Sequence, residues 1–563
     1  MHGAHFYERV VIFSKVYYFN MMTHGHQSNV VIIGSGASGS VAAARLAAAG
    51  FEVVCLEQGD WVGPADYMGA QPEAELAWIE RWNPDPNARQ GWADYPLTGD
   101  ADVRPVMYNG VGGGLVQWAA MWQPLLVSDF RVRTLDGVAD DWPISWGDLA
   151  DAYAQVAGDM SVSGLGGDPA LPEMNPYPNP PIPIGKIGRV AAEGMDRLGW
   201  HWWPGANAIA SRRHRNLQAC QRRGVCMTGC PENAKATPLL THWPPAQAAG
   251  ARLVTGARVM EIPVDEKGRV RGAVYRDRDG VERFQPAQVV MLAANAVGTA
   301  RLLLLSVSSR FPEGLANSSG LVGRRLMQHP YRTVTVVCEE PLDSWQGPWG
   351  QNIYSLEFAE THPDRDFLRG AKWMVMPHGG PMFAVAEYQE AYRQKGFEAV
   401  WGASFHRAAK EVFGHSFTWG IQAEDLPERD NRVSLDPDVC DSSGIPAARI
   451  EYRVSDNTRR MLDFNVARAV EAAEASGAVS TLVRDIWPTG IGHVLGTTRM
   501  GDDPESSVVD RWCRAHDVPN LYVIDGGVFV TGGSANPTAT IMANALRVTD
   551  HMIEARASQE VSL

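Results

Sequence analysis

The sequence predicts an α/β protein with two parts, a domain built on a parallel sheet and a second, α+β domain built on an antiparallel sheet. Three observations predict it. The opening segment, residues 29–57, alternates an apolar strand, a glycine-rich turn, an Ala-rich helix and a second strand. Between residues 331 and 485 the strand-like runs are separated by long polar loops instead of helices. After that, Leu521–Ile524 is again a short apolar strand followed by glycines and a helix-like run. At 563 residues the chain is too long for one core.

Composition narrows the class. Apolar residues make up 45% and charged residues 20%, as in a globular enzyme. A net charge of −14 argues against nucleic acid and anionic membrane surfaces as partners. It tolerates a neutral or cationic substrate. No apolar run approaches the ~20 residues of a membrane span, so a cytoplasmic protein without a membrane partner is expected. Residues 1–28 read as a loose or extraneous N-terminal arm. Their apolar patch, 10–19, is interrupted by Ser14 and Lys15 and lacks the layout of a signal peptide. Seven cysteines, an odd number, argue against a full disulfide framework.

The first element is the strand Asn29–Ile33. Gly34-Ser35-Gly36-Ala37-Ser38-Gly39 follows and opens a helix that ends on Gly50. The strand 52–56 then ends on Glu57, close to the roughly 20-residue spacing at which an acid meets a ribose. Gly34 permits the tight turn. Gly36 lets the backbone approach a pyrophosphate, and Gly39 lets helix and strand pack closely. Ser38 lies in the first turn of the helix, whose positive end faces the phosphates. Glu57 argues against a 2′-phosphate, which favours FAD or NAD over NADP.

A second glycine-rich segment, 108–118, carries Gly112, Gly113, Gln117 and Trp118. A loop without side chains can lie flat against a ring system. Residues 162–184, rich in Gly, Pro and Asn, read as a linker or surface loop. Cys220, Cys226 and Cys230 have spacings unlike those of a zinc site, and no metal is predicted. They could form a structural thiol cluster, a disulfide with one free Cys, or part of an iron–sulfur cluster. Strands within 251–276 and the buried run 289–294 would rejoin the first sheet, with Val259 placed for a backbone contact to an adenine.

In the second domain, strands are expected at 333–338, 373–376, 416–423, 433–435 and 450–453. Trp345, Trp349, Trp373, Trp401 and Trp419 fall within it, as sugar-stacking or core residues. The C-terminal stretch then places two polar side chains, His493 and Asn536, among glycines and small residues.

With these pieces in place, the sequence resembles the glucose–methanol–choline (GMC) family of flavoprotein oxidoreductases. VVIIGSGASGSVAAARLAAAGFEVVCLEQG at 30–59 carries the resemblance at one end. GHVLGTTRMGDDPESSVVD and PNLYVIDGGVFVTGGSANPTATIMANAL, within 492–546, carry it at the other. NRVSLDPDVCDSSGIPAARIEY at 431–452, the Cys cluster and VGRRLMQHP at 322–330 are similar to the branch acting on sugars and polyols, which includes pyranose oxidases and glycoside 3-oxidising enzymes.

The resemblance implies a Rossmann-like FAD-binding domain, 29–330 with 486–556 and with inserted loops at 61–185. It implies a substrate domain at 331–485. His493 matches the catalytic base and Asn536 its partner. Asp525 and Gly526 match the segment near the ribityl–pyrophosphate, and Pro537–Thr538 the segment near the flavin. Some relatives attach FAD to a His in the second glycine loop. Gln117 stands at that position here, which implies noncovalent FAD. Some sugar dehydrogenases of the family hold an iron–sulfur cluster on a vicinal Cys pair. Here Gln221 follows Cys220, so one ligand is missing.

The implied reaction is oxidation of a secondary hydroxyl of a sugar or glycoside to a ketone. His493 takes the O–H proton while hydride passes to flavin N5, and Asn536 hydrogen-bonds the oxygen. Oxygen or a soluble acceptor takes the electrons. The alternative is a dehydrogenase acting on an aminoglycoside or polyol hydroxyl, with an electron-carrier partner in place of oxygen.

Overall fold

The computed structural model describes residues 28–63, 66–67, 83, 85–87, 94–378, 380–394 and 401–558. Apart from Ser28, the expected N-terminal arm lies outside the described residues.

The first sheet begins with β1 (Ser28–Ile33), an unbroken β-branched run that is buried on both faces. It pairs in parallel with β2 (Val53–Leu56) on one side and β8 (Glu282–Leu292) on the other. Val30 stands opposite both Val53 and Val289. β5 (Arg252–Val254) extends the parallel sheet beyond β2, and β16 (Leu521–Val523) pairs with the far end of β8. β8 is long because it serves two sheets. Its first half turns antiparallel with β7 (Gly272–Arg276), which pairs with β6 (Arg258–Glu261). Helices α1 (Ala37–Ala48), α3 (Asn295–Leu305) and α5 (Thr538–Ala557) pack within the same apolar core. This is the predicted Rossmann-like arrangement.

The second sheet is antiparallel, in the order β15 (Ser480–Arg484), β9 (Tyr331–Val337), β12 (Ser416–Ala423), β11 (Ala371–Met376), β10 (Ile353–Ser355), β4 (Trp203–Pro204). Side chains alternate across it with period two. Val334, Val336, Trp373, Val375, Phe417, Trp419 and Ile421 form one face, buried beneath α2 (Gly185–Leu198) and α4 (Asp456–Ala475). Tyr331, Thr333, Lys372, Met374, Met376, Thr418 and Gln422 stand on the other face, in register with one another.

Of the two readings of the tryptophans, sugar-stacking or core, the core one holds for Trp373 and Trp419. Each is about 1% exposed or less, their ring centroids lie 5.7 Å apart, and Trp373 Nε1 donates to Asn465. Burying rings of that size stabilises by about 4–6 kcal/mol each. The strands expected at 433–435 and 450–453 do not join this sheet. They lie within β13 (Arg432–Cys440) and β14 (Pro446–Tyr452), which form a three-stranded sheet with β3 (Leu97–Ala101). Val433, Ile450 and Tyr452 accordingly pack into the core of the first sheet. Conversely, α2 and β4, from the segment expected in the FAD-binding domain, pack with the second. Apolar periodicity identified these elements, but a strand's neighbours depend on the whole chain.

Candidate active site

One continuous cavity of about 960 Å³ runs from the first glycine loop to the Tyr331 face of the antiparallel sheet. Of the residues singled out in the sequence, Gly34, Gly36, Ser38, Glu57, Gly113, Gln117, Trp118, Val259, His493, Asp525, Gly526, Asn536 and Thr538 line it. Gly39 and Gly112 do not. Gly39 sits behind the wall, where a Cβ would come 2.0 Å from Gly34 O. Gly112 turns the second loop at φ +93°, against Leu239.

The cofactor end is a cradle of backbone. A Cβ on Gly34 would meet Ala293 O at 2.4 Å, and one on Gly113 would meet Gly36 Cα at 2.9 Å. The two glycine loops thus touch, and Gly112 N–H donates to Ser35 O. The N-terminus of α1 has no side-chain cap, so its free N–H groups face the cavity as an anion site. Glu57 is buried. It accepts from Ser35 N and Oγ at 3.0 and 2.7 Å and from Gly59 N at 2.9 Å, which holds it rigid at the end of β2. Asn109 Nδ2 is buried at the cavity wall without a partner among the described residues. Asp525 accepts from Gly527 N at 2.8 Å and Thr299 Oγ1 at 2.5 Å, and burial pushes its carboxyl up to about 6. These groups fit a dinucleotide: a peptide cradle, a helix terminus and orphaned polar atoms.

Behind the second loop, Lys235 is fully enclosed and donates to Val116 O at 2.8 Å, Trp118 O at 3.2 Å and Cys226 O. Trp118 Nε1 donates to Ala236 O at 3.0 Å. Cys220, Cys226 and Cys230 are free thiols, so of the readings weighed for them the disulfide is not formed. Burial pushes the Cys220 thiol up to about 12, with its two neighbours adding to the rise. Among the described residues, no three His, Cys, Asp or Glu side chains are grouped to hold a metal ion.

At the other end, His493 and Asn536 both line the cavity, as expected, but each is held by a residue the sequence reading missed. His329 Nε2 lies 2.8 Å from Gly533 O, and His329 Nδ1 lies 2.8 Å from His493 Nδ1. A carbonyl only accepts, so His329 carries its proton on Nε2. Its Nδ1 is then a lone pair, and His493 must donate to it from Nδ1. That leaves His493 Nε2 unprotonated. Burial lowers His329 to about 4. Burial, His329 and Lys372 lower His493 well below the ordinary value. His493 is only half-buried because it opens on the cavity, but the protein around it is dense enough for desolvation to dominate.

Asn536 is clamped at two points. Lys372 Nζ donates to its Oδ1 at 2.8 Å, and its Nδ2 donates to Gln422 Oε1 at 3.2 Å. Gln422 is itself fixed by a 2.6 Å bond from Nε2 to Ser534 O. Around this polar pair the wall is apolar, made of Met121, Tyr331, Met374, Met376, Trp487 and Ile491. Tyr331 Oη reaches Met376 Sδ at 3.4 Å, crossing Gly420, where a Cβ would collide with it. Thr333 Oγ1 is buried at the same wall with no partner among the described residues.

His329 stood in a segment used only for its resemblance. Lys372 stood just outside the predicted strand 373–376. A lone Lys beside an apolar strand was the available signal, since a buried cation needs a function or a partner.

Comparison with known proteins shows the family. Models of the GMC oxidoreductase family match residues 186–331 and 427–545, and a model of the NAD(P)-binding Rossmann-like domain matches 32–72. The chain is 39% identical over 538 residues to 2-methyl-1,2-propanediol dehydrogenase of Mycolicibacterium austroafricanum, covering 94% of this chain and 96% of that one. It is 29% identical to the fructose dehydrogenase large subunit of Gluconobacter japonicus, over 93% and 98% of the two chains. A variant of Aspergillus oryzae RIB40 formate oxidase, solved for its FAD modification, shares the fold. Its TM-score is 0.64 at 15% identity, over 96% of this chain and 100% of that one. The chain belongs to the GMC oxidoreductase family and is an FAD-dependent enzyme acting on CH–OH groups.

Proposed function

We propose that the protein oxidises a hydroxyl of a small polyol, with His493 as the base. The observation that carries this is the His329–His493 bond, which leaves His493 Nε2 unprotonated at the cavity. An alcohol gives up hydride only as its O–H proton leaves, so a base beside the hydroxyl is the group the chain must supply. FAD, when bound, supplies the hydride acceptor. Gly34, Gly36, Ser38, Glu57, Gly113, Val259, Asp525 and Gly526 would hold it. Gln117, which has no imidazole to alkylate, supports noncovalent attachment. Asn536 donates a hydrogen bond to the alcohol oxygen and steadies charge as the proton leaves.

The wall supports a polyol with an apolar branch over a sugar hydroxylated on every face. Met121, Met374, Met376 and Trp487 suit carbon, while Thr333 Oγ1 suits one further hydroxyl. The relative at 39% identity is named for a branched diol. A second reading, oxidation of a sugar or glycoside hydroxyl, draws on the relative named for fructose. An aminoglycoside is compatible with the −14 charge.

Anaerobic bleaching of the flavin band near 450 nm by 2-methyl-1,2-propanediol, 1,2-propanediol, fructose, a methyl glucoside and an aminoglycoside tests the reading. Bleaching by the diols at the lowest concentrations is expected, with His493→Ala slower by orders of magnitude. Rapid reduction of that variant removes His493 as base, and exclusive bleaching by fructose or the glucoside establishes the second reading. Admitting air afterwards shows whether oxygen or a separate carrier takes the electrons.

A further inference from the structure

Lys372 is 0% exposed, and among the described residues no carboxylate pairs with it. An unpaired buried ammonium costs several kcal/mol, so its place needs a reason. Its neighbours supply one. Lys372 and Gln422 are cross-strand partners on β11 and β12, in direct register. Both reach Asn536, Lys372 at Oδ1 and Gln422 at Nδ2. An ammonium has three donors and no lone pair, so whatever faces it must accept. Lys372 thereby dictates that the amide oxygen of Asn536 turns towards the ammonium, which leaves the amide nitrogen for Gln422 and the cavity. One N–H of that nitrogen is taken by Gln422. The second is left for the cavity that Asn536 lines. Without Lys372, the amide could rotate and present its oxygen, an acceptor that would repel a developing alkoxide. Tyr354, from β10, supports the ammonium: Nζ lies 5.5 Å from its ring centroid, and the phenol donates to Asp168.

We propose that Lys372 is a positioning residue that holds Asn536 with an N–H towards the substrate oxygen, and that its charge strengthens that donor. The inference rests on the reading of Asn536 as the group that binds the alcohol oxygen. A cation one hydrogen bond behind the amide polarises it, and bonds in such a chain reinforce one another. Burial lowers Lys372 to about 7, so the test is run at pH 6, where the ammonium form prevails, and an uncharged donor at the same place separates geometry from charge.

The test uses holoenzyme variants Lys372→Met and Lys372→Gln, each alone and with Asn536→Ala. The readouts are the limiting rate of anaerobic flavin reduction by 1,2-propanediol, the apparent Kd for the diol, FAD content and Tm. Lys372→Met is expected to cut the limiting rate about 10- to 100-fold with Kd and FAD content close to the parent and Tm no lower than the parent's. Lys372→Gln, which can donate to Oδ1 without charge, recovers part of the loss. In the Asn536→Ala background, Lys372→Met costs less than about threefold, because the two act as a unit. An undiminished loss in that background overturns the proposal, as does an unchanged rate in Lys372→Met alone. A crystal structure of Lys372→Met holoenzyme judges the proposal independently of any substrate. Asn536 is expected to leave its Gln422 contact, and an unchanged Asn536–Gln422 pair overturns the positioning role. If the diol fails to reduce the parent enzyme, the polyol reading falls while the crystal comparison still decides the role of Lys372.

Discussion

His329 Nδ1 and His493 Nδ1 stand 2.8 Å apart, and the other nitrogen of His329 is committed to the Gly533 carbonyl. A backbone carbonyl in one loop therefore selects the tautomer of a histidine in another, through an intervening ring. Nε2 of His493 is thereby left unprotonated by the fold itself.

Removing His329 should release that constraint. His329→Phe is expected to slow flavin reduction about 10- to 100-fold, with a smaller change in apparent Kd. His329→Gln, whose amide oxygen accepts, should recover part of the rate. Stopped-flow reduction at 450 nm measures both, and a His329→Phe rate equal to the parent's would show that the tautomer is set elsewhere.

The acid side of the pH profile should be flat. An ordinary histidine near 6.5 would lose about tenfold of its neutral form at one unit below that value. Burial, His329 and Lys372 lower His493 well below that range, so the base form persists as pH falls. Reductive kcat/KM is expected to change less than about twofold between pH 6.5 and 5, where Lys372, lowered to about 7, is already mostly charged. Lys372→Met removes one cause of the lowering and should move the acid limb upward. A tenfold fall for the parent enzyme over this window contradicts the assignment.

The contact between the two glycine loops should govern cofactor retention. Gly113 has φ +55°, and a Cβ there would lie 2.9 Å from Gly36 Cα. Gly113→Val strains the backbone and pushes the loops apart. FAD content, read from the ratio of absorbance at 450 to 280 nm, is expected to fall severalfold while far-UV circular dichroism is kept. Full flavin occupancy in the variant would separate the cradle from cofactor binding.

A buried ion cluster lies beside Gly533. Arg369, 1% exposed, pairs with Glu424 at 2.8 Å, with Asp136 at 3.2 Å and with Asp129. Arg369→Met leaves three carboxylates uncompensated and should cost roughly 3–5 kcal/mol, seen as a lower Tm. Burial and the Glu424 charge push Asp129 up to about 7. Its folded value is above the unfolded one of about 3.9, so the folded state binds the extra proton. The stability it contributes is full below about 3.9 and is lost as pH rises through 7. Asp129→Asn keeps the neutral form at every pH, so the Tm difference between pH 5 and pH 8 should shrink. An equal difference in parent and variant would place the proton on another member of the cluster.

Much of the site was legible in the sequence because it is written in local patterns. Gly34-Ser35-Gly36 between an apolar strand and a helix needs no distant residue to become a phosphate-binding turn. His493 and Asn536 stood out as polar residues among glycines, and they do line one cavity. Legibility failed where chemistry depends on register. Nothing local shows that Lys372 and Gln422 are cross-strand partners, or that Trp373 and Trp419 turn to the core while Met374 and Thr418 turn to the cavity. A shift of one residue in that pairing would exchange the two faces. The sequence by itself determined a dinucleotide cradle, an antiparallel sheet and two polar residues at its edge. Only the tertiary structure decided which nitrogen of His493 is free and which way Asn536 faces. Both follow from hydrogen bonds between residues more than 160 positions apart, and only the packed chain brings them together.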